Sequence, residues 1–126
     1  MVLVDTDVLI WYLRGNEKAY KTIENLKRFS ISVVTYMELV QGMRNKKELN
    51  SLRQALHAWD CKILYITEEV SAKAMFAVEQ HFLSHSMQLA DALIGSTAIT
   101  HGLPLLTGND KHYKIMKGIQ IKRFRH

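Results

Sequence analysis

A chain of 126 residues, 48% hydrophobic and 23% charged, has the size and balance of one globular domain with a real core. No apolar run approaches the roughly 20 residues of a membrane span, no charged-then-apolar leader opens the chain, and the single cysteine, Cys61, excludes intramolecular disulfides and cysteine metal clusters. The net charge of +5 and a pI near 9.4 favour a polyanionic partner, and the near-absence of cysteine fits a reducing cytoplasm.

Val2-Leu3-Val4 is a short apolar run without alternation, which suits a strand buried on both faces of a parallel sheet. It leads straight into Asp5-Thr6-Asp7, after which Val8, Leu9, Tyr12 and Leu13 fall at helical spacing until Arg14-Gly15-Asn16 stops them. A second helix is expected over residues 17–28, carrying Ala19, Tyr20, Ile23 and Leu26, and a second strand over 29–34, β-branched at its end. Thr35 opens a third helix with Tyr36, Leu39, Val40 and Met43 on one face, and a fourth spans 46–59 with Leu49, Leu52, Leu56 and Trp59 inward.

Residues 62–66 form a third strand. Thr67 caps a helix that starts with Glu68 and Glu69, where the helix dipole favours negative charge, and whose stripe is Val70, Ala74, Val78 and Phe82. Ser84-His85-Ser86 breaks that helix, and 88–101 forms a helix rich in small residues that Gly102 ends. A short strand over 103–106, a turn over 107–110 and a last strand over 119–122 complete the chain, with the basic tail from Lys122 to His126 exposed and frayed. Strands and helices alternate throughout, and nothing marks a linker or repeat. The expected class is α/β with a mainly parallel central sheet, one domain over residues 1–126.

The informative acids fall at the junctions of these elements. The turn leaving the first strand lies where open α/β sheets place their ligand crevice. Asp5 and Asp7 would stand there as hard oxygen ligands of the kind that suits Mg2+ or Mn2+. Thr6 or Asp7 equally suits the cap of the helix that follows. Glu38 comes just past the second strand, off the apolar stripe of its helix; Thr35-x-x-Glu38 also reads as a capping box. Asp91 sits in a helix that is apolar nearly all round and shares its face with Gly95 and Ala98. A buried carboxylate needs a partner, either a remote cation of the chain or a metal shared with Asp5. Thr107-Gly108-Asn109-Asp110 offers a further oxygen contributor, although Asn and Asp after Gly are also ordinary turn chemistry. Converging acids repel unless a divalent ion neutralises them, and such an ion on oxygen ligands activates water beside a phosphoryl group. With a basic surface around it, the pocket points to hydrolysis of a nucleic-acid backbone.

Four stretches together resemble the PIN-domain ribonucleases, and specifically the VapC-type toxins of bacterial toxin–antitoxin pairs: Val4-Asp5-Thr6-Asp7-Val8-Leu9-Ile10, Val34-Thr35-Tyr36-Met37-Glu38-Leu39, Leu89-Ala90-Asp91-Ala92-Leu93-Ile94, and 101–109, which ends in Thr107-Gly108-Asn109. The likeness covers essentially the whole chain in order. It implies a three-layer α/β/α sandwich and a Mg2+- or Mn2+-dependent endoribonuclease of RNA. Asp5, Glu38 and Asp91 match the three core acids. At the fourth place the family varies: Asn109 stands where some members have Asp, His112 where others have Asp or Glu, and Asp110 is the only carboxylate of that turn. The resemblance further implies a cognate antitoxin that blocks the acidic pocket, a homodimer, and the bacterial cytoplasm.

Three rivals share features with this pattern. Phosphatases of the haloacid dehalogenase type also open with strand-Asp-x-Asp, but want Thr or Val where Leu9 stands. A phosphoacceptor receiver domain needs an Asp after a central strand, where only Thr67 and Glu68 follow Ile66. A basic nucleic-acid-binding module would leave every acid structural.

Overall fold

The computed structural model describes residues 1–84 and 87–126; of the expected helix break at 84–86, His85 and Ser86 lie outside the described residues. Within them the chain runs β1 (Leu3–Val4), α1 (Thr6–Leu13), α2 (Glu17–Asn25), β2 (Ser30–Ser32), α3 (Val33–Gln41), α4 (Lys46–Ala58), β3 (Lys62–Leu64), α5 (Glu68–His81), α6 (Leu89–His101), β4 (Leu105–Thr107), α7 (Asp110–Tyr113) and β5 (Ile121–Arg123). The strands form one sheet in the order β3-β2-β1-β4-β5, with every pairing parallel. In register, Leu3 stands between Ser30 and Leu105, and Val4 beside Leu106.

Two cores explain the short non-alternating run of β1. Val2 and Val4 pack on one face with Val8 and Leu9 of α1, Ile23 of α2, Leu39 of α3 and Leu52 and Leu56 of α4. Leu3, between them in sequence, points to the opposite face and packs with Ala77 of α5, Ile94 and Ala98 of α6, and Tyr113 and Met116. Successive side chains of a strand alternate across the sheet, so a central parallel strand covered by helices on both sides needs apolar residues at every position. The result is an α/β/α sandwich. Among the described residues no helix is long and apolar enough to cross a membrane.

Several boundaries depart from expectation, each for a physical reason. β2 ends at Ser32 because the Ser32 side chain accepts the Val34 N–H and caps α3 two residues early. Thr35 is therefore the third residue inside α3, and Thr35-x-x-Glu38 is not a capping box. α2 stops at Asn25, since Leu26 is already extended. β3 is shorter than expected, ending at Leu64, and Tyr65 is exposed. The stripe of α5 is Val70, Ala74 and Ala77, leaving Phe82 exposed. The region after β4 contains the four-residue helix α7 rather than only a turn.

The tail is the largest correction. Instead of fraying, residues 121–123 pair with β4, Phe124 is buried and donates its N–H to Thr107 O at 2.8 Å, and His126 stacks on Trp11 with ring centroids 3.9 Å apart.

Candidate active site

The chain lays β2 and β3 on one side of β1, then crosses back to place β4 and β5 on the other. The direction of winding thus reverses between β1 and β4, and the crevice at their carboxyl ends is where an open parallel sheet gathers functional groups. Asp5 is the first residue past β1, and Thr107 is the last residue of β4.

Asp5 is 3% exposed and caps α1. Its Oδ1 accepts the Thr6 N–H at 2.8 Å and the Tyr113 hydroxyl at 3.2 Å, and its Oδ2 accepts the Thr107 hydroxyl at 2.8 Å. Burial, reinforced by the negative charge of Asp7, pushes its pKa up to about 7; these donors pull the other way and lose. Asp7 is raised as well, chiefly by burial. Its Oδ2 accepts the Gly108 N–H at 2.9 Å, tying the start of α1 to the turn after β4, while its buried Oδ1 has no hydrogen-bond partner among the described residues. Neither of the two sequence candidates for the cap, Thr6 and Asp7, takes that place.

Thr6 does something else. Its hydroxyl donates to Glu38 Oε1 at 2.7 Å and lies 3.0 Å from the fully buried Thr35 hydroxyl. That pair of threonines aims the Glu38 carboxylate from α3 toward the end of β1. Thr107 relays in a similar way, accepting the Asn109 N–H at 2.9 Å while donating to Asp5.

Asp91 stands in the first turn of α6. No Lys or Arg pairs with it among the described residues. Its Oδ1 accepts the Tyr113 hydroxyl at 3.3 Å, and the half-exposed His112 puts Nδ1 3.4 Å from its Oδ2. Asp110 is placed differently: Arg123 Nε and Arg125 Nη1 each lie 3.4 Å from its carboxylate. Asn109 offers its backbone but leaves its side chain exposed.

Tyr113 is the residue of this cluster that sequence reasoning missed. It is fully buried, and its hydroxyl touches both Asp5 and Asp91. Burial first, then the charges of Asp5 and Asp91, raise its pKa, so it remains a neutral donor. A tyrosine in a segment that also supplies Asn109, Asp110 and His112 was the available signal, since a buried Tyr hydroxyl seeks a partner.

The family model described as "PIN domain" matches residues 2–118. The chain belongs to the PIN-domain family. It is 30% identical to "Ribonuclease VapC1" of Methanocaldococcus jannaschii, a match that covers 96% of this chain and 85% of that protein. It is 32% identical to "Ribonuclease VapC10" of Mycobacterium tuberculosis, covering 95% of this chain and 91% of the relative. Among solved structures, this PIN domain superposes on a chain of a "Toxin-antitoxin complex from Klebsiella pneumoniae" with a TM-score of 0.79 and 27% identity, covering 94% of this chain and 95% of that one.

PIN-domain ribonucleases generally need a divalent metal. The residues of this PIN domain fit one. Asp5 and Asp7 are two close, desolvated carboxylates, and Asp7 Oδ1 has no hydrogen-bond partner among the described residues. Among the described residues no three Asp, Glu, His or Cys side chains form a ready-made cage. A small hard cation does not require one, because Mg2+ keeps several waters and takes one or two carboxylates directly.

Proposed function

We propose that this PIN domain is a metal-dependent endoribonuclease and the toxin of a toxin–antitoxin pair, one domain spanning residues 1–126 and working in the cytoplasm. The observation that carries this reading is the convergence of Asp5 and Asp91, from just past the first strand and from the sixth helix, on one buried hydroxyl. The two VapC ribonucleases and the Klebsiella toxin–antitoxin complex that resemble this chain point the same way.

Asp5 and Asp91 are the proposed direct ligands of Mg2+ or Mn2+, with Glu38, steered by Thr6, reaching the ion itself or one of its waters. A bound divalent cation supplies the positive charge that a phosphodiester under attack needs and makes water more acidic. Asp7 holds the Gly108 turn against the pocket and adds negative charge beside Asp5. Thr107 orients Asp5, and Asn109 orients Thr107. Asp110 is assigned to fixing Arg123 and Arg125 rather than to the cation. Those arginines put positive charge suited to an RNA backbone beside the turn after β4.

The cognate antitoxin is the proposed partner for the groove of about 780 Å3 that starts at Glu38 and runs past Ile10, Leu13 and Met43 to Leu52. A second copy of the chain is proposed for the exposed apolar side chains of Met75, Phe76, Phe82 and Leu83.

The rivals fit less well. The relatives that match this chain over most of its length are ribonucleases by name, not phosphatases. A binding module without catalysis has no use for two desolvated acids at the sheet switch point, and burying them is costly. Purified protein incubated with mixed cellular RNA tests the reading. Cleavage in Mg2+ or Mn2+, abolished by EDTA and by Asp5→Asn, is expected. Chelator-resistant cutting, or intact RNA in every metal, would refute it.

A further inference from the structure

We propose that the Tyr113 hydroxyl is a positioning group that sets the spacing of Asp5 and Asp91 for the divalent cation. This rests on the metal-dependent reading above and adds a residue to it. A phenol has one proton to donate, yet two carboxylate oxygens lie at 3.2 and 3.3 Å from the same oxygen. Both distances exceed the usual O–H···O length of about 2.7–2.8 Å, as expected when one proton is divided between two acceptors. The hydroxyl is therefore a link between two carboxylates that repel when both are charged. It joins the end of β1 to the first turn of α6, two elements that no backbone hydrogen bond connects among the described residues.

The ring that carries the hydroxyl has little freedom. It is fully buried, and it lies against α6 where Gly95, one turn past Asp91, leaves room. A Cβ at residue 95 would come 3.3 Å from Tyr113 Cδ1 and would collide with Met116 Sδ. Gly95 and Asp91 share a face at i and i+4, so the gap that admits the ring lies directly below the carboxylate that the hydroxyl meets. An aromatic ring wedged this way fixes the oxygen to within the tolerance of the core. Groups that hydrogen-bond to metal-ligating residues orient them, and losing one typically weakens metal affinity or activity by about 10–100-fold.

Tyr113→Phe deletes the oxygen and keeps the ring, so the packing against Gly95 survives. The measurement is thermal unfolding of the full chain in EDTA and across Mg2+ and Mn2+ titrations, alongside RNA cleavage at each metal concentration. Wild type should be stabilised by metal. The variant should fold, and should need about tenfold or more metal to reach half of its stabilisation. Its cleavage should recover substantially at saturating metal. A purely structural role predicts a different result: lower stability in EDTA with an unmoved metal midpoint. That result, with wild type responding normally, overturns this inference alone. Tighter metal binding by the variant would also overturn it, since the hydroxyl would then be competing for the cation's place. If wild type itself shows no metal response, the nuclease reading falls and takes this inference with it.

Discussion

Gly108 donates its backbone N–H to Asp7 Oδ2 at 2.9 Å, and a Cβ on residue 108 would stand 2.7 Å from that same oxygen. The missing side chain is what lets the turn after β4 close on the start of α1. On its other side the Cβ would meet Phe124 O at 3.3 Å, a backbone atom of the segment paired with β4 that cannot swing away.

Gly108→Ala should therefore push the turn off Asp7. A loss of about 1–3 kcal/mol is expected, the usual cost of forcing a methyl into a packed site. Cleavage should fall with it, because Thr107, next in the chain, orients Asp5. Denaturant unfolding of the variant checks the first claim and an RNA assay the second. A variant as stable and as active as wild type would mean that the turn yields freely.

Asp5→Asn should abolish cleavage far more completely than Asp7→Asn. Asp5 faces the proposed cation and receives its orientation from three donors, whereas Asp7 has one oxygen committed to Gly108. Removing a charge in direct contact with the metal should cost several kcal/mol of transition-state stabilisation, hence orders of magnitude in rate. Initial rates of the two folded variants decide the ranking. Equal losses would place Asp7 at the cation as well.

The pKa of Asp5 carries a sign for stability without metal. Its folded-state value of about 7 lies above the ordinary 3.8, so between those values the folded chain holds a proton that the unfolded chain has released. Stability in EDTA should then be fullest below about pH 4 for this group and decline as pH rises through about 7. The decline should be on the order of a few kcal/mol. The useful quantity is the difference between wild type and Asp5→Asn. Melts from pH 5 to pH 8 should fall more steeply in wild type. Parallel curves would show that Asp5 is charged throughout. Saturating metal should oppose the trend, because metal binding favours the deprotonated carboxylate.

What could be read from sequence follows from how local each signal is. β1 announces itself because a strand buried on both faces must be apolar at every position, and the acids stand out because they interrupt apolar runs. Asp91 was visible for the same reason: a carboxylate in a helix without a polar face asks for a partner. The start of α3 was not legible, since Ser32 and Thr35 are equally good caps and only the register of β2 decides between them. Tyr113 was hidden because α7 is four residues long, too short for any periodic pattern. Its importance depends on contacts with residues 22 and 108 positions away in sequence. The tail misled for a similar reason: its charges are exposed as expected, but the apolar Phe124 between Arg123 and Arg125 holds it to the fold.

The order of strands in the sheet also bears on when this protein becomes dangerous to RNA. β1 sits in the middle, yet its neighbour β4 is made long after it, and the groups that grip Asp5 from that side, Thr107 and Tyr113, follow Asp5 by 102 and 108 residues. A nascent chain still short of residue 105 already carries Asp5, Glu38 and Asp91 but has nothing to fasten the first of them to the third. Long-range pairings of this kind form late, after the intervening chain has been placed. The ribosome therefore translates everything between β1 and β4 before the product it is making has a finished blade.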